Sequence, residues 1–133
     1  MSKKPNMQEK HLYEYAVIRV VPCVEREEFM NAGVVLYCAA ERFLRVKYRI
    51  NEHRLSCFSG HATPNEIEER LRAFEKICTG GKGTGPIGGL PLASRFRWLT
   101  ATRSTIVQSS PVHPGLCHDA AAMLQWLYEK LVV

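Results

Sequence analysis

The sequence lacks the long hydrophobic stretches that mark membrane and exported proteins. No segment reaches the roughly eighteen consecutive apolar residues of a membrane-spanning helix. Residues 1–10 are polar and basic, and the apolar core of an export signal does not follow them. We therefore expect a soluble protein located in the cytoplasm.

Closely spaced cysteine pairs are missing as well. The five cysteines are scattered without CxxC spacing and lie mostly inside apolar segments. Such positions favour reduced, buried thiols over a disulfide framework. A closed zinc site needs a full tetrahedral set of ligands, and the sequence offers only the half-set His113, Cys117 and His118 at short spacing. We therefore expect neither a metal ion nor another cofactor.

The signatures of common catalytic sites are absent too. The stretch GGKGTG at residues 80–85 lacks P-loop spacing, because Thr84 does not directly follow Lys82 and no glycine stands five residues before the Gly-Lys pair. No GxSxG motif accompanies the hydroxyl and thiol nucleophiles, for which His113 is the available base. These nucleophiles are Ser104, Ser109, Ser110 and Cys117. A hydrolase is disfavoured, since no complete catalytic set is present.

Length and composition indicate one ordinary globular domain. The 133 residues are 46% hydrophobic and 23% charged, which is enough apolar surface for a core without metals or disulfides. We predict a single domain over residues 1–133, with a flexible tail at 1–10. The net charge of +5 is compatible with a phosphate, nucleic-acid or acidic protein partner, and equally with a solvated basic surface.

Three β-strands are predicted in the first half of the chain. Aromatic and β-branched residues run through 13–21 and end at Pro22, as in a central strand. Residues 34–39 and 43–50 flank a short polar break and predict an antiparallel hairpin. Between the first strand and this hairpin, the acidic residues 25–31 predict one or two helical turns.

Alternation in the third strand places three cations on one face. A period of two separates the apolar set Leu44, Val46, Tyr48 and Ile50 from Arg45, Lys47 and Arg49. We call the three cations the basic strand face. It is a candidate interaction surface, although a solvated sheet face or one covered by a second copy of the chain gives the same pattern.

The second half of the chain predicts two sizeable helices. Thr63, Pro64 and Glu66 form a capping box before a helix that ends at a glycine-rich segment, 80–91. Six glycines and two prolines in that segment predict a mobile loop without regular structure. The remaining predictions are a short helix at 92–99, a strand at 104–109, a turn at 111–115 and a last helix capped by Asp119. The pattern predicts an α+β fold: an antiparallel β-sheet with two main helices packed on one face.

Two long blocks of the sequence carry a family resemblance. YEYAVIRVVPCVEREEFMNAGVVLYC and PIGGLPLASRFRWLTATRSTIVQSSPVHPGLC resemble a bacterial family of uncharacterised proteins, domain of unknown function 3037. The resemblance covers nearly the whole chain but implies no activity. It implies a genomic neighbourhood with HipA-like serine/threonine kinases, and hence an accessory or regulatory partner of such a kinase.

Two sets of polar residues are candidates for a site. Arg19 stands in an otherwise apolar strand and needs a partner if it is buried, for which Glu25 and Glu28 in the acidic segment are candidates. The pair either lines a site or is a structural ion pair. The second set lies around the glycine-rich segment, where guanidinium groups and loop amides suit an anion. Together with Arg19, this candidate anion site comprises Arg97, Arg103, Gln108 and His113.

Two functions from different classes follow. The first is a non-enzymatic protein-interaction module that binds a HipA-like kinase through the basic strand face. The second is an anion-, nucleotide- or nucleic-acid-binding protein, or a phosphoryl-handling enzyme, that uses the arginine and histidine set. The second function requires Arg19, Arg103 and His113 to converge in space.

Overall fold

Five antiparallel strands form one sheet in the computed structural model of the protein, which describes residues 9–58, 60 and 62–133. The strands are β1 His11–Val20, β2 Met30–Cys38, β3 Phe43–Tyr48, β4 Val107–Ser109 and β5 His113–Cys117. They lie in the order β3-β2-β1, and β4 and β5 both pair with the remaining edge of β1. β1 is therefore the central strand, as predicted. Most of the predicted tail, residues 1–8, lies outside the described residues.

Helices account for about half of the described residues outside the strands. They are α1 Glu52–Leu55, α2 Pro64–Thr79, α3 Gly85–Gly88, α4 Leu92–Leu99 and α5 Ala120–Leu131. The Thr63 side chain accepts a hydrogen bond from the Glu66 amide at 3.2 Å, and Asp119 caps α5. Both predicted helix starts and the α+β class are confirmed. Within the described residues, no helix has the length and hydropathy needed to cross a membrane.

The two main helices cover opposite faces of the sheet, so the prediction that both pack on one face is wrong. Val35 belongs to the core that includes Leu71 of α2, whereas its neighbour Val34 belongs to the core that includes Leu124 of α5. Successive side chains of a strand point to opposite faces. The physical reason lies in β2, where Val34, Val35 and Leu36 are all fully buried. A strand that is apolar at consecutive positions requires cover on both sides.

Two loop predictions are also wrong. The glycine-rich segment contains the helical turn α3, where a Cβ on Gly88 would lie 1.8 Å from the Thr84 hydroxyl oxygen. The predicted turn at 111–115 falls largely in β5. Gly115 pairs with Tyr13 of β1, and a Cβ on it would lie 2.5 Å from the tyrosine ring. This glycine is needed for the close approach of an aromatic ring rather than for a turn.

An irregularity between β1 and β2 shapes one end of the sheet. Ile18 pairs with Gly33, but the next residue, Arg19, pairs with Asn31, which leaves Ala32 as an extra residue in β2. Such a bulge bends the strand locally and increases its twist. Asn31 in turn donates a side-chain hydrogen bond to the Leu131 carbonyl at 3.0 Å. The C-terminal end of α5 is thereby fastened next to Arg19.

Candidate functional site

A pocket of about 350 Å³ opens at the end of β1 that carries Arg19. We call it the Arg19 pocket. Arg19 pairs with Gln108 in the register of β1 and β4, which brings two of the sequence candidates side by side. The lining residues are Arg19, Val21, Val24, Glu25, Glu27, Phe29, Ser104 and Gln108.

Arg19 is held by an aromatic ring but is incompletely hydrogen-bonded. Its guanidinium carbon lies 4.2 Å from the centre of the Phe29 ring, a cation–π contact worth about 0.5–2 kcal/mol. Its Nε is buried and has no hydrogen-bond partner among residues 9–58, 60 and 62–133. Leaving a buried donor unsatisfied costs roughly 1–3 kcal/mol. The Nε of Arg19 is therefore a donor that the described residues leave unsatisfied.

The acidic segment forms the rim of the pocket. It contains a single 3-10 turn, Val24–Arg26, which agrees with the smaller number of helical turns predicted there. Glu27 follows with φ of 55°, a left-handed conformation that costs an ordinary residue energy and often marks a functional segment. Glu25 accepts a hydrogen bond from the Cys23 thiol at 3.1 Å and lines the pocket with Arg19. The structure thus places Glu25 at the site where the sequence expected an ion-pair partner.

Glu28, the other expected partner of Arg19, pairs with a different arginine. The Arg26 Nε donates to the Glu28 carboxylate at 2.6 Å. This hydrogen bond lowers the pKa of Glu28 and raises the pKa of Arg26. Both side chains are about half exposed, 55% for Arg26 and 48% for Glu28, so the pair contributes little to stability. Glu28 is absent from the pocket lining.

Hydrogen bonds along the β4 segment fix the opposite wall. The Gln108 side-chain amide donates to the Thr105 carbonyl at 2.8 Å, and the Thr105 hydroxyl donates to the Val107 carbonyl at 2.7 Å. Ser104 is exposed at the pocket edge. Ser110, named above as a nucleophile, is instead buried: its oxygen accepts from the Val17 amide at 2.8 Å, and its hydroxyl donates to the Pro111 carbonyl.

The other sequence candidates for an anion site do not join Arg19 and Gln108. Arg103 stacks on Trp98, with its guanidinium carbon 4.1 Å from the ring centre, and donates to the Leu99 carbonyl at 3.2 Å. Arg97 is exposed and donates to the Ala93 carbonyl of its own helix. Both guanidinium groups therefore bond to backbone carbonyls, and the Leu99 carbonyl bonded by Arg103 lies in the last turn of α4, where carbonyls lack a partner within the helix.

His113 lies far along the strand from the pocket. Its ring centre is 5.3 Å from that of Tyr15, its partner across β1 and β5. Tyr15 precedes Arg19 by four positions on β1, a separation of roughly 13 Å in an extended strand. Cys117 is separated from His113 by the same number of positions within β5. The two side chains therefore do not form the half-site that their sequence spacing offered.

The arginine that contacts the glycine-rich segment is Arg95. It donates to the carbonyls of Ile77 at 3.0 Å, Cys78 at 2.9 Å and Leu90 at 2.8 Å. These bonds cap the last turn of α2, where orphan carbonyls attract a cation. Arg95 thus ties the segment to the helix.

The basic strand face borders α5. The Lys47 ammonium donates to the Gln125 side chain and lies 5.4 Å from the Tyr128 ring centre. Arg45 lies over the Phe43 ring at 5.2 Å. Arg49 is exposed beyond the end of β3, and its amide bonds to Ala32 of β2. All three cations are exposed at one side of the helix.

Phe29 is the pocket residue that the sequence reasoning missed. It is a large aromatic residue within an acidic segment and is 43% exposed. The sequence signal was an aromatic residue among consecutive charged residues. A solvent-exposed turn does not require an aromatic side chain, so its presence indicates a contact with another group. Here the ring supports the guanidinium of Arg19.

Comparison with known proteins gives one match. The sequence pattern of a family described as a protein of unknown function, DUF3037, matches residues 15–132. No curated protein and no solved structure matches the chain. The matched range includes the whole lining of the Arg19 pocket and the basic strand face.

Proposed function

The chain belongs to the DUF3037 family, and from that premise we propose that it is a non-enzymatic interaction module that binds an acidic segment of a partner protein. The binding site is the Arg19 pocket. The partner class is a HipA-like serine/threonine kinase, as the family resemblance implies. The observation that carries the proposal is the incompletely bonded Arg19 in a pocket with Gln108 and Phe29.

The chemistry of the pocket favours a carboxylate or a phosphate group on the partner. A guanidinium offers paired donors in one plane that match the oxygens of either group. The Phe29 ring holds that plane from one side. The Ser104 hydroxyl at the edge supplies a further donor to an entering oxygen.

The size and rim of the pocket favour a protein segment over a free polyanion. Its volume of about 350 Å³ is at the lower end of the roughly 300–1,000 Å³ typical of small-molecule sites, which suits one side chain. Glu25 and Glu27 at the rim disfavour a uniformly negative ligand such as nucleic acid. An acidic side chain flanked by a basic one matches this distribution of charge.

The basic strand face supplies a second contact region on the same face of the sheet. Arg19 pairs with Asn31 of β2, and the Arg49 amide bonds to the adjacent Ala32 from the other side. Two strand spacings separate the two arginines, roughly 10 Å between Cα atoms. A segment of a few residues reaches both arginines when it presents an acidic side chain to each of them and a basic side chain to the glutamates of the rim.

Co-purification tests the proposal. A HipA-like kinase encoded beside a family member is co-expressed with this chain and analysed by size-exclusion chromatography at micromolar concentration. We expect co-elution, its loss in Arg19→Gln, and its retention in the matched control Arg97→Gln, whose guanidinium lies outside the pocket. Circular dichroism verifies that both variants fold. Co-elution that persists in Arg19→Gln overturns the pocket, and failure of the unmodified chain to co-elute overturns the partner class.

A further inference from the structure

Three side chains with metal-ligating atoms meet at the end of the sheet opposite the Arg19 pocket. They are His11 at the start of β1, Cys38 at the end of β2 and Glu41 in the turn that follows. One ligand atom from each lies within 4.8 Å of the others. The His11 Nδ1 is 2.9 Å from the Glu41 carboxylate, and the Cys38 sulfur is 3.9 Å from the same carboxylate oxygen.

Three separate segments hold this cluster in place. Antiparallel pairing brings the start of β1 beside the end of β2. The turn into β3 is closed by a hydrogen bond from the Arg42 amide to the Ala39 carbonyl at 3.1 Å. Both oxygens of Glu41 also accept from the Ala120 amide of α5, at 3.1 and 3.2 Å. The carboxylate is therefore oriented by a backbone donor independent of its contact with His11.

We propose that His11, Cys38 and Glu41 bind a zinc ion. A thiolate, an imidazole and a carboxylate are the three ligand types that zinc takes in proteins, at about 2.0–2.3 Å from the metal. In a tetrahedral site these bond lengths place ligand atoms about 3.3–3.8 Å apart. The separations of 2.9 and 3.9 Å from the Glu41 oxygen lie on either side of this range, and the ligand atoms of His11 and Cys38 lie within 4.8 Å of each other, so side-chain rotations that draw these two atoms together make the site.

The cluster is accessible to solvent past two of its three side chains. His11 and Glu41 are 27% and 24% exposed, whereas Cys38 is fully buried on the inner side. An ion therefore approaches past the imidazole and the carboxylate and reaches the thiol at the closed end. Three protein ligands with a solvent-filled fourth position are typical of zinc sites that retain a reactive position.

Topology keeps Cys38 in its thiol form. Cys117 belongs to the same buried cluster as Cys38, but β1 stands between their strands β2 and β5. Two strand spacings place their Cα atoms about 9.6 Å apart, beyond the limit of about 7 Å for a disulfide. Both thiols are free, and Cys38 is available as a ligand.

The ion pair between His11 and Glu41 does not by itself account for the cluster. It satisfies the imidazole and the carboxylate, but the contact of the Cys38 thiol with the carboxylate is long, at 3.9 Å, and thiols are weak donors. A zinc ion would be coordinated directly by the imidazole, the thiolate and the carboxylate. The site lies at the other end of β1 from the Arg19 pocket, so it does not depend on the proposed partner binding.

Cobalt and zinc titrations of the whole purified chain, under reducing conditions, test the proposal. We expect one equivalent of Co²⁺ to give thiolate-to-cobalt charge-transfer absorption together with intense d–d bands of tetrahedral geometry, and Zn²⁺ to displace it. Cys38→Ser loses the charge-transfer absorption. His11→Ala and Glu41→Gln weaken zinc binding by more than the roughly 10- to 100-fold typical of residues outside the ligand set.

Cys57→Ser is the matched control, because Cys57 is an exposed thiol outside the cluster, and it should bind cobalt as the unmodified chain does. X-ray absorption of the zinc-loaded unmodified chain needs no variant to fold, and we expect sulfur among the nearest scatterers. Absence of a one-to-one cobalt complex, a zinc shell without sulfur, or charge transfer that survives in Cys38→Ser would each overturn the site.

Discussion

The two ends of α5 lie at two different clusters of polar residues, and the clusters differ in how complete they are. The first amide of the helix, on Ala120, bonds to Glu41, which also contacts His11. The last turn bonds through the Leu131 carbonyl to Asn31, the strand neighbour of Arg19. The charges suit the helix dipole, with a carboxylate at its N-terminal end and a cation near its C-terminal end.

The two clusters differ in whether their polar groups find partners within the fold. At the N-terminal end, the polar groups contact one another within the fold, and a small ion is enough to use all of them. At the C-terminal end, a buried Arg19 donor has no acceptor among the described residues. The first cluster therefore suits a bound ion, and the second suits a group supplied by another molecule.

Removing the central anchor of α5 should have the largest effect. Leu124 is 3% exposed in the core between the helix and the sheet, and Leu124→Ala should lower the free energy of unfolding by about 2–5 kcal/mol. Leu71→Ala on the opposite face is the matched control with a similar loss. Denaturant unfolding measures both. Because α5 positions both clusters, Leu124→Ala should also weaken cobalt and partner binding, and equal weakening by Leu71→Ala would contradict this assignment.

Removal of the buried Ser110 hydroxyl, which bonds to β1, should have the next largest effect on the free energy of unfolding. Ser110→Ala leaves the Val17 amide without its acceptor, and an unsatisfied buried donor costs roughly 1–3 kcal/mol. Ser109→Ala is the control, since its hydroxyl donates only to the neighbouring Ser110 carbonyl. Thermal unfolding compares the two variants. A loss no larger for Ser110→Ala than for the control would exclude the structural role.

A substitution at the C-terminal end of α5 should change the free energy of unfolding by a smaller amount. Asn31→Ala removes one hydrogen bond to the Leu131 carbonyl, worth about 0.5–1.5 kcal/mol. Because the bond acts only at this end, the variant should reduce partner binding and leave cobalt affinity unchanged. Calorimetry with each ligand measures the difference. A parallel loss of both affinities would mean that the two ends are coupled through the helix.

The thiols of Cys57 and Cys78 should differ in reactivity within the folded protein. Burial raises the pKa of the Cys78 thiol to about 12 from an ordinary value of 9.0, whereas Cys57 is exposed. Native alkylation at pH 8 should modify Cys57 first and spare Cys78, as mass spectrometry can show. The folded state holds the Cys78 proton more tightly than the unfolded state does. Its contribution to stability is therefore full below pH 9 and falls as pH rises towards 12. Rapid modification of Cys78 would contradict its burial.

Local features of the fold could be predicted from the sequence, whereas relations between distant segments could not. The caps at Thr63 and Asp119 depend on a few consecutive residues, and both form as predicted. The faces covered by α2 and α5 depend on tertiary packing. The consecutive buried residues of β2 carried that information, but the alternation in β3 pointed to a single covered face.

For the candidate sites, too, some of the residues could be identified from the sequence, whereas their positions relative to one another could not. Arg19 and Gln108 were both singled out, and pairing of β1 with β4 brings them together. Arg97 and Arg103 are close to the glycine-rich segment in sequence, but each guanidinium bonds to helix carbonyls nearer to it. Cys38 and Glu41 lie three positions apart, but His11 joins them only through the pairing of β1 with β2, so the spacing in the chain does not by itself predict a metal site.

Calorimetric titration of the kinase with Arg19→Met and with Arg97→Met tests the central claim most directly. Methionine keeps the apolar contact with Phe29 but removes the charged donors, and charge-assisted hydrogen bonds are worth about 1.5–3 kcal/mol. Arg19→Met should bind the kinase at least about tenfold more weakly than the unmodified chain does, and Arg97→Met should bind it with unchanged affinity. Equal affinity for the two variants would contradict binding of a partner's acidic group in the Arg19 pocket.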